Sequence, residues 1–213
     1  MRIWLVVLCI PFMPFSVAAA DVGRPTVPLT KMFPFLEDYL AIDPASRSNF
    51  ELTYEVQSKD DGAFELWIER DGTRVDLQGN ADDHVDPDRL AAFIDDDPVV
   101  YTTIPKGRGS VSMTLAPRLD LSADVAVSDV KLALSQANKT IKKKAGLMAF
   151  AAPKMKSVQF DLAENTTATL VRPDGQREIL PVANDTLIFT PGRKSGDDRI
   201  EFSIPPLNDH FVE

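Results

Sequence analysis

Beyond residue 9 the chain contains no cysteine, because its single one, Cys9, sits inside an apolar run at residues 3–15. Arg2 gives that run a short positive start, and Ala18, Ala19 and Ala20 supply small residues at an A-x-A site, the pattern of a cleaved secretory leader. At 13 residues the run is below the roughly 20 needed to span a bilayer, and Pro11 and Pro14 interrupt any helix. The sequence therefore predicts a signal peptide at 1–20, cleaved after Ala20, and no transmembrane segment in the mature chain. A chain exported without a cysteine has no disulfide to staple it, so an apolar core must hold it together. Cysteine-free export suits the bacterial periplasm, and the expected location is periplasmic or secreted. Three N-x-T patterns, at Asn138, Asn165 and Asn184, would matter only in a eukaryotic secretory pathway.

Hydropathy periods then give the architecture. Met32, Phe35, Leu36, Tyr39 and Leu40 recur at helical spacing and predict a short N-terminal helix over 30–42. Phe50, Leu52, Tyr54 and Val56 alternate with polar residues, as do Phe64, Leu66 and Ile68, and the turn-forming residues 59–62 suggest a hairpin between them. Asp71-Gly72 predicts a second turn into 74–77. A third hairpin is expected from 99–104 through the basic tip 105–109 to Val111, Met113 and Leu115. One long central helix follows, with Ser128 as its N-cap, an apolar stripe at Val130, Leu134, Ala137, Ile141 and Ala145, and Lys142, Lys143 and Lys144 in its last turn before Gly146. Short strands are then expected at 157–162, 168–172, 176–180, 186–190 and 199–204. The sum is an α+β fold, mainly antiparallel sheet. A β-rich lobe at 21–118 and a helix-plus-β lobe at 119–213 are separate or continuous on this pattern alone.

Charge is unevenly spread in a chain whose formal charge is −9, or −10 once Arg2 is lost. From residue 130 to 160 there is no acidic side chain, while Lys131, Lys139, Lys142, Lys143, Lys144, Lys154 and Lys156 give +7. Residues 76–97 carry eight aspartates against Arg89 alone. The lysines suit a solvated helix C-terminus, favoured by its dipole, and equally a patch facing an anionic partner. In the acidic stretch, Asn80, Asp82, Asp86 and Asp88 present hard oxygens of the kind Ca²⁺ takes, although the glycine and closing glutamate of an EF-hand loop are missing. Asp86-Pro87-Asp88 also reads as the start of a short helix. Nucleic acid is excluded by the net negative charge and by the lack of aromatics interleaved with the basic residues.

Catalytic patterns are sparse. His84 and His210 are the only imidazoles, too few for a zinc site, with no Gly-x-Ser-x-Gly nucleophile for His84 and with His210 expected in an exposed tail. Ser128-Asp129-Val130-Lys131 and Lys194-Ser195-Gly196 resemble isolated pieces of the penicillin-recognising serine enzymes, but no S-x-N motif joins them. No catalytic residue is assigned. The reading is an exported, non-catalytic binding or interaction protein without a resident cofactor. Its anion-facing side chains are Lys139, Lys142, Lys143, Lys144, Lys154 and Lys156, and its partner is an envelope protein or anionic envelope component. Two alternatives stand beside it: a small hydrolase using carboxylates of the 82–97 stretch, and a carrier of an apolar ligand lined by Val130, Leu134 and Ile141.

Overall fold

The computed structural model describes residues 23–60, 62–78, 84–145, 154–193, 195 and 197–213. The leader with its cleavage site, Asn80, Asp82, Gly146, Lys194 and Gly196 lie outside the described residues, as does the side chain of Ala145.

Strand β1 (Arg24–Pro28) leads into two single helical turns, α1 (Leu29–Met32) and α2 (Leu36–Leu40). They replace the one helix expected over 30–42. Phe33 precedes a proline and is held extended (φ −113°, ψ 82°), which ends α1, and Phe35 starts α2 from a left-handed conformation (φ 65°). The hydroxyl of buried Tyr54 donates to the Pro34 carbonyl that the break leaves free.

Strands β2 (Phe50–Ser58), β3 (Leu66–Arg70), β4 (Thr73–Asp76), β5 (His84–Val85), β6 (Val99–Thr102) and β7 (Gly109–Pro117) form two antiparallel sheets, in the orders β1-β6-β3-β4 and β5-β2-β7. The β3–β4 hairpin turns at Asp71-Gly72, where both residues take positive φ (52° and 73°), as a tight two-residue turn demands. The other two expected hairpins do not form. β2 pairs along its whole length with β7, from Phe50 opposite Pro117 to Ser58 opposite Gly109, while β3 and β6 pair in the other sheet. Both connections thus cross between sheets, so that Phe50, Leu52, Tyr54 and Val56 meet Leu66, Ile68 and Val100 in one buried cluster. Helix α3 (Pro87–Leu90) closes this cluster with Leu90, its start capped by Asp86.

After β8 (Asp124–Ala126) comes the long helix α4 (Val127–Ala145). It starts two residues earlier than an N-cap at Ser128 implies, so Ser128 lies within the first turn, and the Val127 N–H donates to the Asp198 carbonyl at 3.0 Å. Strands β9 (Ser157–Asp161), β10 (Ala168–Val171), β11 (Arg177–Leu180), β12 (Thr186–Phe189), β13 (Arg199–Phe202) and β14 (Asn208–Val212) complete the chain, in sheets ordered β11-β10-β13-β8 and β12-β9-β14. Val158, Phe160, Leu170, Leu187, Ile200 and Phe202 form a second cluster with Val130 and Leu134 of α4. The helix serves both clusters, since Ala137 is buried in the first. Gln136 also fastens it to the 45–49 segment, accepting from the Asn49 N–H and donating to the Ala45 carbonyl and the Ser48 hydroxyl at 3.0–3.1 Å. Phe211 of β14 packs against both clusters.

Candidate functional site

Burial of Val130, Leu134 and Ala137 orients α4, and helical geometry turns the opposite face to solvent. Lys139, Lys142 and Lys143 stand on that face at i, i+3 and i+4, all exposed, with Leu132, 44% exposed, two turns before them. Lys154 and Lys156 are brought beside α4 through Asn138. Its side-chain amide donates to the Met155 carbonyl at 2.8 Å, and its side-chain oxygen accepts from the Met155 N–H at 2.9 Å. The segment 154–156, just before β9, is thereby clamped to α4, with an exposed lysine on either side of the clamped residue. Five of the six expected lysines have no carboxylate partner among the described residues. The sixth, Lys144, pairs with Asp38 and lies 5.3 Å from the ring centre of Phe35, itself 48% exposed. Lys131, further up the helix, donates to the Arg193 carbonyl at 3.1 Å.

The acidic stretch is wired differently. Asp86 Oδ1 accepts the Asp88 N–H at 2.8 Å, and Asp88 holds Arg47 at 3.0 Å and lies 4.0 Å from Arg118. Asp82, the third expected calcium ligand, lies outside the described residues. Among the described residues no three His, Cys, Asp or Glu side chains are grouped to hold a metal.

A cavity of about 320 Å³ lies beside this wiring, lined by Glu51, Thr53, His84, Asp86 and Arg118. It contains one carboxylate of the 82–97 stretch, Asp86, already committed to its cap; Glu51 is held by Arg118 at 3.0 Å. A wider depression of about 600 Å³ in the second half is lined by Arg172, Phe189, Thr190, Arg193 and Asp198. Neither is lined by Val130, Leu134 or Ile141, the first two of which are packed into the core. Ser128 is exposed, Lys131 is directed to Arg193, and the Ser195 hydroxyl donates to the Gly192 carbonyl at 2.8 Å. Trp67 is covered: Tyr101 stacks on it at 5.8 Å and the Arg74 guanidinium lies 4.1 Å from its ring centre.

His210 is not in a loose tail. It belongs to β14, with Nε2 2.8 Å from Asp161 Oδ2. Asp161 titrates below the usual carboxylate range, chiefly because Gln159 donates to it and secondly because of His210. The neighbouring Asp209 behaves oppositely. Its side chain is on the buried face of β14, 7% exposed, and its Oδ2 has no hydrogen-bond partner. Burial, with the charges of Glu51 and Asp161 adding to it against that of His210, pushes its carboxyl up to about 6. Sequence reasoning missed Asn138, Phe35 and Asp209; only the exclusively polar start of 208–210 hinted that something other than core ran there.

No family model matches the chain, and neither does any curated protein or solved structure. Among the described residues no helix is long and apolar enough to cross a membrane.

Proposed function

We propose that this chain is an exported, non-catalytic interaction protein that meets an anionic partner of the cell envelope through the lysine-bearing end of α4. The observation that carries the reading is the Asn138–Met155 clamp. Two lysine-bearing segments separated in sequence are fastened side by side, and five ammonium groups are left without a carboxylate among the described residues. Unpaired like charges repel one another and weaken the fold slightly, and a partner of opposite sign offsets that cost. The leader-like residues 1–20 supply the envelope part of the reading. Residues 23–213 contain every described element, so the test uses 21–213.

Retention on an immobilised polyanion at low salt is compared for this chain and for the Lys142→Glu/Lys143→Glu variant. Wild type is expected to be retained and to elute as salt rises, and the variant to pass through. Equal behaviour of the two would remove the patch from the proposal.

A further inference from the structure

We infer that β14 is a pH-responsive strap across the joint between the two halves of the molecule: it lies closed while Asp209 is protonated and is released locally, with both halves still folded, once Asp209 ionises. The strap is independent of the lysine-bearing end of α4 and of what meets it.

The first argument is the joint. β7 is one edge of the sheet β5-β2-β7, and β14 is one edge of the sheet β12-β9-β14. The two edges lie side by side, yet no backbone ladder joins them among the described residues. The Asp209 N–H is taken instead by the Asn208 side-chain oxygen at 2.9 Å. β14 is therefore held by its single ladder to β9 and by what its inward side chains bury. Phe211 supplies the apolar hold, since it packs against the core clusters of both halves. Asp209 stands two residues before it, on the same face of the strand.

The second argument is that the surroundings of Asp209 suit a neutral acid and not a carboxylate. The residue is 7% exposed, and its Oδ2 has no hydrogen-bond partner among the described residues. The charges that act on it are Glu51 of β2, Asp161 of β9 and His210 of β14 itself. Glu51 and Asp161 oppose its ionisation, and His210, the one group that favours it, sits 2.8 Å from Asp161 Oδ2. Arg118 is held by Glu51 at 3.0 Å. β7 carries no charged side chain, and α4 meets these strands through buried Val130, Ala133, Leu134 and Ala137. Burial accordingly holds the Asp209 carboxyl up at about 6, whereas in water it returns to about 3.9. The closed strap thus binds the proton more tightly than the released one, so closure is favoured in acid and that preference is lost as pH rises through 6. On these values the equilibrium constant for release grows roughly tenfold from pH 5 to pH 7.5.

The test is amide hydrogen exchange of residues 21–213 at pH 5 and pH 7.5, read by mass spectrometry and divided by the intrinsic amide rates at each pH. In wild type the protection of 208–212 is expected to fall roughly tenfold at the higher pH, while the β10–β11 hairpin, 168–180, keeps its protection. Asp209→Asn is expected to hold 208–212 equally protected at both pH values, and His210→Gln to respond like wild type. Far-ultraviolet circular dichroism checks that both variants keep the fold. Equal protection of 208–212 in wild type at the two pH values overturns the inference. A fall shared by 168–180 also overturns it, because the whole chain is then unfolding and no strap is released. A response kept in Asp209→Asn but lost in His210→Gln overturns it as well, since the switch then belongs to the His210–Asp161 pair.

Discussion

The two charged regions of this molecule, the aspartates of 76–97 and the lysines around the end of α4, look like mirror images in sequence and are treated oppositely by the fold. Five of the eight aspartates are put to structural use. Asp76 pairs with Arg74, Asp88 with Arg47 and Arg118, and Asp96 with Arg70, while Asp86 caps α3 and Asp97 accepts the Thr30 N–H at the start of α1. Carboxylates are short, accept backbone N–H groups, and fit the arginine fork, so a chain can fold them into turns and cross-links. Of the patch lysines only Lys144 is engaged by an acid among the described residues, and Lys139, Lys142 and Lys143 stand on the face of α4 turned away from both apolar clusters. The lesson is that a charge run becomes a candidate surface only after its internal partners have been counted.

If the acidic side is structural, breaking it must cost stability. Arg47 is the most exposed to such a loss in energetic terms, because its side chain is only 12% accessible and its Nε already lacks a partner. Asp88→Ala strands that guanidinium over the Tyr39 ring and is expected to cost about 3 kcal/mol, read as a lower urea midpoint at unchanged slope. Asp88→Asn, which keeps an acceptor, should recover part of it. A midpoint shifted no further than that of an exposed surface substitution would undo the contrast.

Asp209 is the extreme inward carboxylate, and its effect has the other sign. Its folded pKa of about 6 lies above an unfolded value of about 3.9. The folded state therefore binds the proton more tightly, and the stability this supplies is fully present below about pH 4 and is lost as pH rises through 6. Above that, an ionised Oδ2 is buried without a partner. Asp209→Asn cannot ionise, so it is expected to exceed wild type by about 2 kcal/mol at pH 7.5 and to lose that advantage at pH 4, measured by urea unfolding at both. An equal difference at the two pH values would mean that Asp209 does not titrate in this range.

The same distinction between local and non-local information explains what the sequence made legible. Strands of the second half could be read because each carries its own alternation and its own turn: Pro173-Asp174-Gly175 closes the β10–β11 hairpin, with Gly175 at φ 84°. The lysine face could be read for the same reason, from one helix period. In the first half β2, β3, β4, β6 and β7 were legible, but beyond the β3–β4 hairpin their partners were not, and β1 and β5 were not expected. Whether β2 takes β3 or β7 is decided by which pairing buries Tyr54 and Val56 against Ile68, and no local signal reports that. β14 was hidden because Asn208, Asp209 and His210 read as a polar tail, although Asp209 faces inward opposite Phe160. Asn138 looked like a glycosylation acceptor by pattern, yet its amide is occupied by Met155.

The smallest expected effect is the most discriminating between a structural and a functional end of α4. Lys144 has something to lose: its partner Asp38 and the Phe35 ring lie on the α1–α2 side, so Lys144→Ala should cost up to about 1 kcal/mol. Among the described residues Lys142 and Lys143 have no carboxylate partner and interact with the helix dipole, and mutual repulsion opposes even that. Lys142→Ala/Lys143→Ala should therefore leave the urea midpoint within about 0.5 kcal/mol of wild type. Were these two lysines the mere solvated finish of a helix, removing them would change nothing measurable at all, in stability or in binding. Were they structural, stability would fall by more than Lys144→Ala costs. Silence in unfolding combined with loss of retention on an anionic surface is the one outcome that neither structural account produces, and it is the outcome the arrangement of α4, Asn138 and Met155 leads us to expect.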